Sequence, residues 1–512
     1  YGDTPTEARY LADQDNWRKV GEDYICPFLR CINCNGDMRW LKDDHKLSKE
    51  RLVCHECQWE IGGDVLPLTR KSLGSSPPDI LFTTTEMLNQ RLSDNDLNHL
   101  FGVGSNVKRP PELVLLDEVH TYEGRHGAQV AYLMRRWANL VERPLRFVGL
   151  SATLRDAPSF FASLTGTWHS NVEEISPHTD ELEMEGAEYM IALRGDPVSR
   201  TALLSTTIQT TMLLERTLDP KTAKLSDSVS GGAFGQRTFV FTDDLDVTNR
   251  LFFGLLDAEG RTSRGTPNMR NHPNGGLALL RKSGTSYSRY RSGQDWRMCE
   301  QLGHSLSERL RIDRVSSQDR GVDAGADVVV ATAALEVGFD DPTVGVVVQH
   351  KAPKGMAGFL QRKGRAGRTR GMRPWTAIVL SDYGRDRVAY QGYDLLFDPE
   401  LPARTLPLNN RYITRMQAVF ATIDFLGKKL QDAPRGSVWS NLAGPSNNSQ
   451  RVAKLIKEIS SILESPYNIT QLESYLSRSL KISKDEVSAL LWEFPRPLLT
   501  MVLPTALRRL SS

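Results

Sequence analysis

The segment Leu115-Leu116-Asp117-Glu118-Val119-His120 sets two adjacent carboxylates directly after an apolar run. If the run is a buried strand, both carboxylates stand at its C-terminal edge, where open α/β sheets bind their ligands. One carboxylate holding Mg²⁺, often through water, and a second orienting or deprotonating a water is the chemistry of phosphoryl transfer. Asp117 is then the metal residue and Glu118 the base. Thirty-one residues after His120, the apolar run Phe147-Val148-Gly149-Leu150 ends in Ser151-Ala152-Thr153, which would add hydroxyls at the same sheet edge. A lone Asp-Glu pair is more often a solvated strand end, so the case rests on what accompanies it.

A second chemistry is carried by Cys31-x2-Cys34, then nineteen residues, then Cys54-x2-Cys57. Each short loop can place two thiolates in one coordination sphere, so the spacing predicts one tetrahedral Zn²⁺. Four thiolates leave no open position, which makes the zinc structural. Cys26, His45 and His55 are spare donors nearby. Further on, eight Lys or Arg stand against two acids between Arg261 and Glu300, interleaved with Tyr287, Tyr290 and Trp296. Positive charge with flat aromatic faces suits single-stranded nucleic acid, with Arg289 and Arg291 as the expected contacts. The same stretch also has the Gly, Pro, Asn and Ser content of a solvated loop insert.

The elements that must position these groups are legible as apolar, β-branched runs at Ile80–Thr83, Leu113–Leu116, Phe147–Leu150, Thr238–Phe241, Val328–Ala331, Val344–Val348 and Ala377–Leu380. Alternation with helical patterns such as Gly127–Val141 predicts parallel α/β sheets. The strands form two groups, before about residue 155 and after about residue 237, joined by a helix-rich connection at Thr201–Thr217. From Asn409 the pattern turns helical, with amphipathic candidates at Tyr412–Leu430 and Arg451–Leu463 and a Gly/Ser/Asn-rich loop at Gly436–Gln450 between them. A length of 512 residues fits roughly three domains, and the formal charge of +2 makes any nucleic-acid binding a matter of local patches. No apolar run approaches the roughly 18 residues of a membrane helix, and the clustered cysteines suit a reducing compartment. A cytoplasmic protein with no membrane partner is expected.

The later lobe holds Ala331-Thr332-Ala333-Ala334-Leu335-Glu336-Val337-Gly338-Phe339-Asp340 and Gln361-Arg362-Lys363-Gly364-Arg365-Ala366-Gly367-Arg368. With the Asp-Glu-Val-His and Ser-Ala-Thr segments, this chain resembles a superfamily-2 helicase. The resemblance implies two RecA-like lobes that close on ATP and reopen on hydrolysis. It implies Asp117, Glu118 and His120 as the DEVH form of the acidic motif, and Ser151 and Thr153 as coupling groups. Gly338, Asp340 and Arg362 would lie at the nucleotide, Gln361 would position water or phosphate, and Arg365 and Arg368 would be arginine fingers. Permanently charged guanidiniums suit charge spreading over phosphate oxygens. Thr332 and Thr83, Thr84 and Thr85 would grip the nucleic-acid backbone, although the three threonines equally suit helix capping. Pro78–Leu88, Leu116–Gly124 and His350-Lys351-Ala352-Pro353 also resemble the large helicases of bacterial phage-defence operons of the Dpd and DISARM kinds, which implies DNA as substrate and other defence proteins as partners.

No Gly-x-x-x-x-Gly-Lys-Ser/Thr occurs in the sequence. The cradle that P-loop enzymes wrap around nucleotide phosphates is therefore expected upstream, and this chain alone is expected to hydrolyse ATP negligibly. The expected organisation is lobe one at 1–165 with a zinc insert at 22–70, a connector at 166–230, lobe two at 231–395 with the basic insert at 261–300, and a helical region at 396–512. Two other function classes fit the same residues: a non-catalytic scaffold on a helicase fold, and a double-strand translocase that does not unwind.

Overall fold

The computed structural model describes residues 4–13, 16–94, 96–104, 106–141, 143–151, 154–181, 183, 186–195, 202–221, 227–315, 322–323, 325–332, 340–397, 403–430 and 449–505. Two units are defined, Tyr1–Glu174 with Ala403–Ser512, and Ile175–Pro402.

The first unit begins with a five-stranded antiparallel sheet, β1 Lys19–Val20, β2 Asp23–Arg30, β3 Asp37–Trp40, β4 Arg51–Cys54 and β5 Glu60–Gly62, paired in sequence order. Its core is aromatic and small, with Trp17 and Trp40 buried and their rings 5.8 Å apart, packed with Tyr24, Met38 and Leu52. A module of this size buries little apolar surface, so a metal clip is a natural supplement. Next come β6 Leu113–Leu116 and β7 Arg146–Gly149, parallel, with Leu116 opposite Gly149. The helix Gly124–Leu140 makes the crossover between them.

That helix is buried on two sides. Val130, Leu133, Met134 and Trp137 join the sheet-side cluster with Val114, Leu116 and Phe160, while Ala128 and Tyr132 join a second cluster with the C-terminal helices. Those helices are Arg411–Lys429, Ser449–Glu464, Pro466–Leu480 and Lys484–Trp492. Asn410 caps the first of them and a Ser483–Glu486 capping box starts the last, each supplying acceptors to backbone N–H groups that the first turn leaves unpaired. Of the loop expected at Gly436–Gln450, residues 436–448 lie outside the described residues.

One expected strand is absent. Ile80–Thr83 has no strand pairing among the described residues, and Ile80 and Phe82 are 75% and 85% exposed. Apolar content marks a segment as suited to a sheet, but pairing needs a neighbouring edge, and β6 and β7 are the strands described in this sheet. On the open face of the pair, Leu113 and Leu115 are 55% and 62% exposed.

The second unit is a six-stranded, all-parallel sheet: β8 Tyr189–Arg194, β9 Arg237–Phe241, β10 Ile312–Val315, β11 Val328–Ala331, β12 Val344–His350 and β13 Trp375–Leu380, in spatial order β10-β11-β9-β12-β13-β8. The central strands β9, β11 and β12 are buried along their whole length, as doubly covered parallel strands must be. The edge strands β8 and β10 were not anticipated. Ile312-Asp313-Arg314-Val315 carries charge, as sheet edges do, and so lacks the apolar run that marks a central strand. The segment expected as a connector contributes β8 and the helix Leu203–Glu215 to this unit. Among the described residues no helix is long and apolar enough to cross a membrane.

Candidate nucleotide, nucleic-acid and zinc sites

The chain leaves β6 through Asp117 and turns sharply at Glu118, whose φ of 48° and ψ of 47° place a non-glycine residue in the left-handed region. Such strain at a strand end is characteristic of residues held for function. The turn is fastened by the Glu118 carbonyl, which accepts from the Thr121 N–H at 2.8 Å and the Thr121 hydroxyl at 2.7 Å. Asp117 stays exposed, with Oδ1 accepting the Glu118 N–H at 2.9 Å. His120 is buried between the neighbours it was expected to accompany. Its Nε2 lies 3.4 Å from Glu118 Oε2, and its Nδ1 lies 3.2 Å from Ser151 Oγ.

Asp117, Glu118, His120 and Ser151 therefore form one chain of contacts across the C-terminal edge of β6 and β7. The register brings this about, because Leu116 opposes Gly149 and the Val119 N–H donates to the Leu150 carbonyl at 2.9 Å. Gly149 is required here: a Cβ would lie 2.5 Å from Phe161 and 2.9 Å from Val119. Thr153 lies outside the described residues. Burial raises the Tyr122 phenol above its ordinary range, with the Asp117 charge adding to it. An exposed Asp beside a positioned Glu fits the metal and water half of a nucleotide site. The residues of this chain supply no phosphate cradle of the Gly-Lys-Ser/Thr type.

Arg404 was not anticipated. It donates to the His120 carbonyl and pairs with Glu123 at 3.0 Å, bracing the turn from 284 residues downstream. At that separation a spacing-based reading has no signal to use.

In the second unit the helix Met356–Lys363 ends at Gly364 and delivers the arginine-rich segment. Arg362 is buried and committed to structure, pairing with Asp243 at 2.6 Å and donating to Gln349 Oε1 at 2.9 Å. Gln361 is half-buried and Arg365 is buried. Arg368 pairs with Asp340 at 2.8 Å, which joins two of the expected residues to each other. Gly367 has a φ of +76° and a Cβ there would meet Pro374 at 2.6 Å, so the turn admits no side chain. Gly338 lies outside the described residues, and Thr332 is half-buried at the end of β11.

Thr84 caps the helix Thr85–Arg91 by accepting the Met87 N–H at 3.2 Å, so its hydroxyl serves the cap; Thr83 is exposed and Thr85 half-buried. In the basic insert, Arg289 donates to the carbonyls of Leu280 and Gln294 at 2.7 and 3.2 Å and staples its own loop. Arg291 is exposed, with Tyr287 and Tyr290 beside it in the sequence and also exposed. Their rings lie 6.3 Å apart, and the Arg297 guanidinium sits 4.5 Å over Tyr290.

The thiols of Cys31, Cys34, Cys54 and Cys57 all lie within 4.8 Å of one another, with Cys31–Cys57 and Cys34–Cys54 at 3.4 Å. Tetrahedral Zn²⁺ with Zn–S of about 2.3 Å needs sulfurs roughly 3.8 Å apart, so the donor set fits the metal. Two matching knuckles build it. The Cys31 N–H donates to the Gly36 carbonyl and the Cys54 N–H to the Trp59 carbonyl, and each knuckle closes through a left-handed residue, Asn35 or Gln58. Burial pushes the Cys26 thiol up to about 11 and keeps it protonated, and the His45 ring bonds the Ala8 carbonyl. Both stand outside the four-thiol cluster, as does His55.

The parallel sheets, the four-cysteine cluster and the helical C-terminal region define an α/β protein whose sheets are of the kind RecA-like helicase lobes have. Sequence comparison agrees. Residues 299–370 match the helicase conserved C-terminal domain. The Lhr helicase/probable uracil glycosylase of Mycolicibacterium smegmatis is 27% identical over 307 residues, covering 60% of this chain and 18% of that protein. The Escherichia coli Lhr helicase/uracil glycosylase is 27% identical over 311 residues with the same two coverages. The structure of the Mycobacterium smegmatis helicase Lhr bound to single-stranded DNA and AMP-PNP aligns with a TM-score of 0.41 and 19% identity, over 84% of this chain and 43% of that one. Over about three fifths of its length the chain is thus similar to these Lhr helicases, and it spans less than a fifth of the length of either.

Proposed function

We propose that the chain is the metal, water and arginine-bearing portion of an ATP-dependent DNA helicase or translocase. The observation that carries this reading is the contact chain Glu118–His120–Ser151 beside the exposed Asp117 at the edge of two parallel strands. Asp117 would hold Mg²⁺, which when bound neutralises phosphate charge. Glu118, fixed by its strained turn and by His120, orients a water and receives its proton. Ser151 senses the position of His120 and so couples the acid pair to β7. In the second unit, Arg365 and Arg368 would supply fixed positive charge to phosphate, with Gln361 helping to place water or phosphate and Asp340 paired with Arg368.

Lobe one is completed, in this reading, by sequence carrying the phosphate loop, packed over the open face of β6 and β7. What supports it is the apolar exposure of Leu113 and Leu115 together with the lack of a Gly-Lys-Ser/Thr loop. A defence-operon motor acting on DNA is the finer reading, supported by the phrases at Pro78–Leu88 and Leu116–Gly124. The missing loop favours one alternative, a scaffold that binds DNA without turnover.

The test is DNA-stimulated ATP hydrolysis and strand displacement by the complete reading frame, beside Glu118→Gln and Arg368→Ala. Loss of one catalytic group is expected to slow turnover at least about a hundredfold while DNA binding persists. Equal turnover in wild type and Glu118→Gln would overturn the reading, and no turnover in any form would favour the scaffold.

A further inference from the structure

Within the first unit, the helix Gly124–Leu140, the helix Arg411–Lys429 and the turn between Leu480 and Lys484 line a cavity of about 370 Å³ that includes none of the expected site residues. Four cations line it: Arg135, Arg411, Arg415 and Lys481. The wall has one carboxylate among its lining residues, Glu486, whose Oε2 accepts from the Ser483 N–H and hydroxyl at 2.8 Å to make the capping box. No ion pair to any of the four cations occurs among the described residues.

Two of the cations are deeply buried. Arg135 is 7% exposed; its Nη2 donates to the Ser163 carbonyl at 2.7 Å, while its Nη1 has no partner among the described residues. Arg415 is 9% exposed and its Nε is likewise buried and unpartnered. A buried guanidinium without a full set of acceptors is costly, and an anion with several oxygens is the ligand that relieves it. Leu408, Leu480 and Ile482 give the same cavity an apolar side.

We propose that this cavity is a phosphate-ester site that binds the phosphate of a nucleotide, with the organic part against the leucines and the anion between Arg135, Arg415 and Lys481. Arg is suited to this because its planar fork meets phosphate oxygens bidentately. The electrostatics agree, since burial depresses the Lys481 ammonium and the nearby Arg135 charge depresses it further. Burial likewise depresses Arg135. The Lys481 shift marks two like charges held close together. The site is independent of the ATP-hydrolysis reading, because none of its residues belongs to that constellation.

The experiment is calorimetric titration of the 512-residue chain with inorganic phosphate, thymidine 5′-monophosphate, and hexathymidylate with and without a 5′-phosphate. Thymidylate avoids an adenine-specific site. Binding of the phosphate-bearing probes is expected, weakened at least roughly tenfold in Arg411→Gln and Arg135→Met. Arg411→Gln changes an exposed rim residue, so its fold is secure, and a thermal melt checks Arg135→Met. A shift of the Lys481 resonance in the dimethyl-lysine NMR spectrum of wild type on adding phosphate gives a reading without any substitution. Tighter binding of the 5′-phosphorylated oligomer than of thymidylate would assign the site to a strand, and the reverse order to a free nucleotide. Unchanged affinity in both variants, a silent Lys481, or no binding of any probe at about 10 mM would overturn the site.

Discussion

At the scale of single residues, local backbone and burial decide which side chains are poised and which are merely held. Glu118 sits in a left-handed turn against His120, whereas in the arginine-rich segment Arg362 is buried in an ion pair with Asp243 and Arg368 pairs with Asp340 at the surface. Nothing in the spacing of Gln361–Arg368 distinguishes those roles, because burial depends on what packs from β9 and β12. His350 makes a measurable case. Burial, with the Lys351 charge beside it, pulls its imidazole from 6.5 down to about 4, and Thr207 Oγ1 lies 2.8 Å from Nδ1. As pH falls the unfolded chain therefore takes up the proton first. The contribution is whole above about 6.5 and is lost progressively down to about 4, amounting to about 1 to 3 kcal/mol. Urea midpoints measured across that window should fall more steeply for wild type than for His350→Asn; parallel curves would contradict the assignment.

At the scale of elements, two fastenings carry the first unit. The four-cysteine module joins short strands around a small aromatic core, so its fold is expected to depend on a bound metal. One zinc per chain is expected by elemental analysis, and Cys34→Ser should lower both zinc content and folded yield. Full zinc in that variant would refute the four-thiolate site. The second fastening is the Arg136–Asp424 pair, 2.8 Å apart with both side chains 1% exposed, in which Arg136 also bonds Asn89 and Gln417. It ties the helix after β6 to the helix Arg411–Lys429. Arg136→Met strands a buried carboxylate and should cost about 3 to 5 kcal/mol, while adding Asp424→Leu should recover most of it. Chemical denaturation of the three proteins measures this directly, and additive losses would show that the pair is not coupled. The CxxC spacing announced the first fastening. The second was invisible, because residues 136 and 424 are 288 positions apart.

At the scale of the whole molecule, the open face of β6 and β7 and the lack of a phosphate loop lead to one expectation. The 512 residues alone should hydrolyse ATP at background rate and bind a dye specific for apolar surface. Glu118-dependent turnover by the 512 residues alone would sink this. The sequence by itself determined the parallel α/β class, the central strands β6, β7, β9 and β11 to within a residue, the four-thiol cluster and the order of the helicase-like segments. It could do so because these are local patterns: continuous apolar runs, short metal-binding spacings and charge beside glycine. Tertiary structure alone decided that Ile80–Thr83 has no strand partner among the described residues, that β8 and β10 flank the second sheet, and that His120 reaches Ser151. It also decided that Arg404 braces the acid turn and that four cations share one cavity with the C-terminal helices. Each of these depends on which distant edge or helix packs alongside, and strand register and long-range packing leave no mark on neighbouring residues.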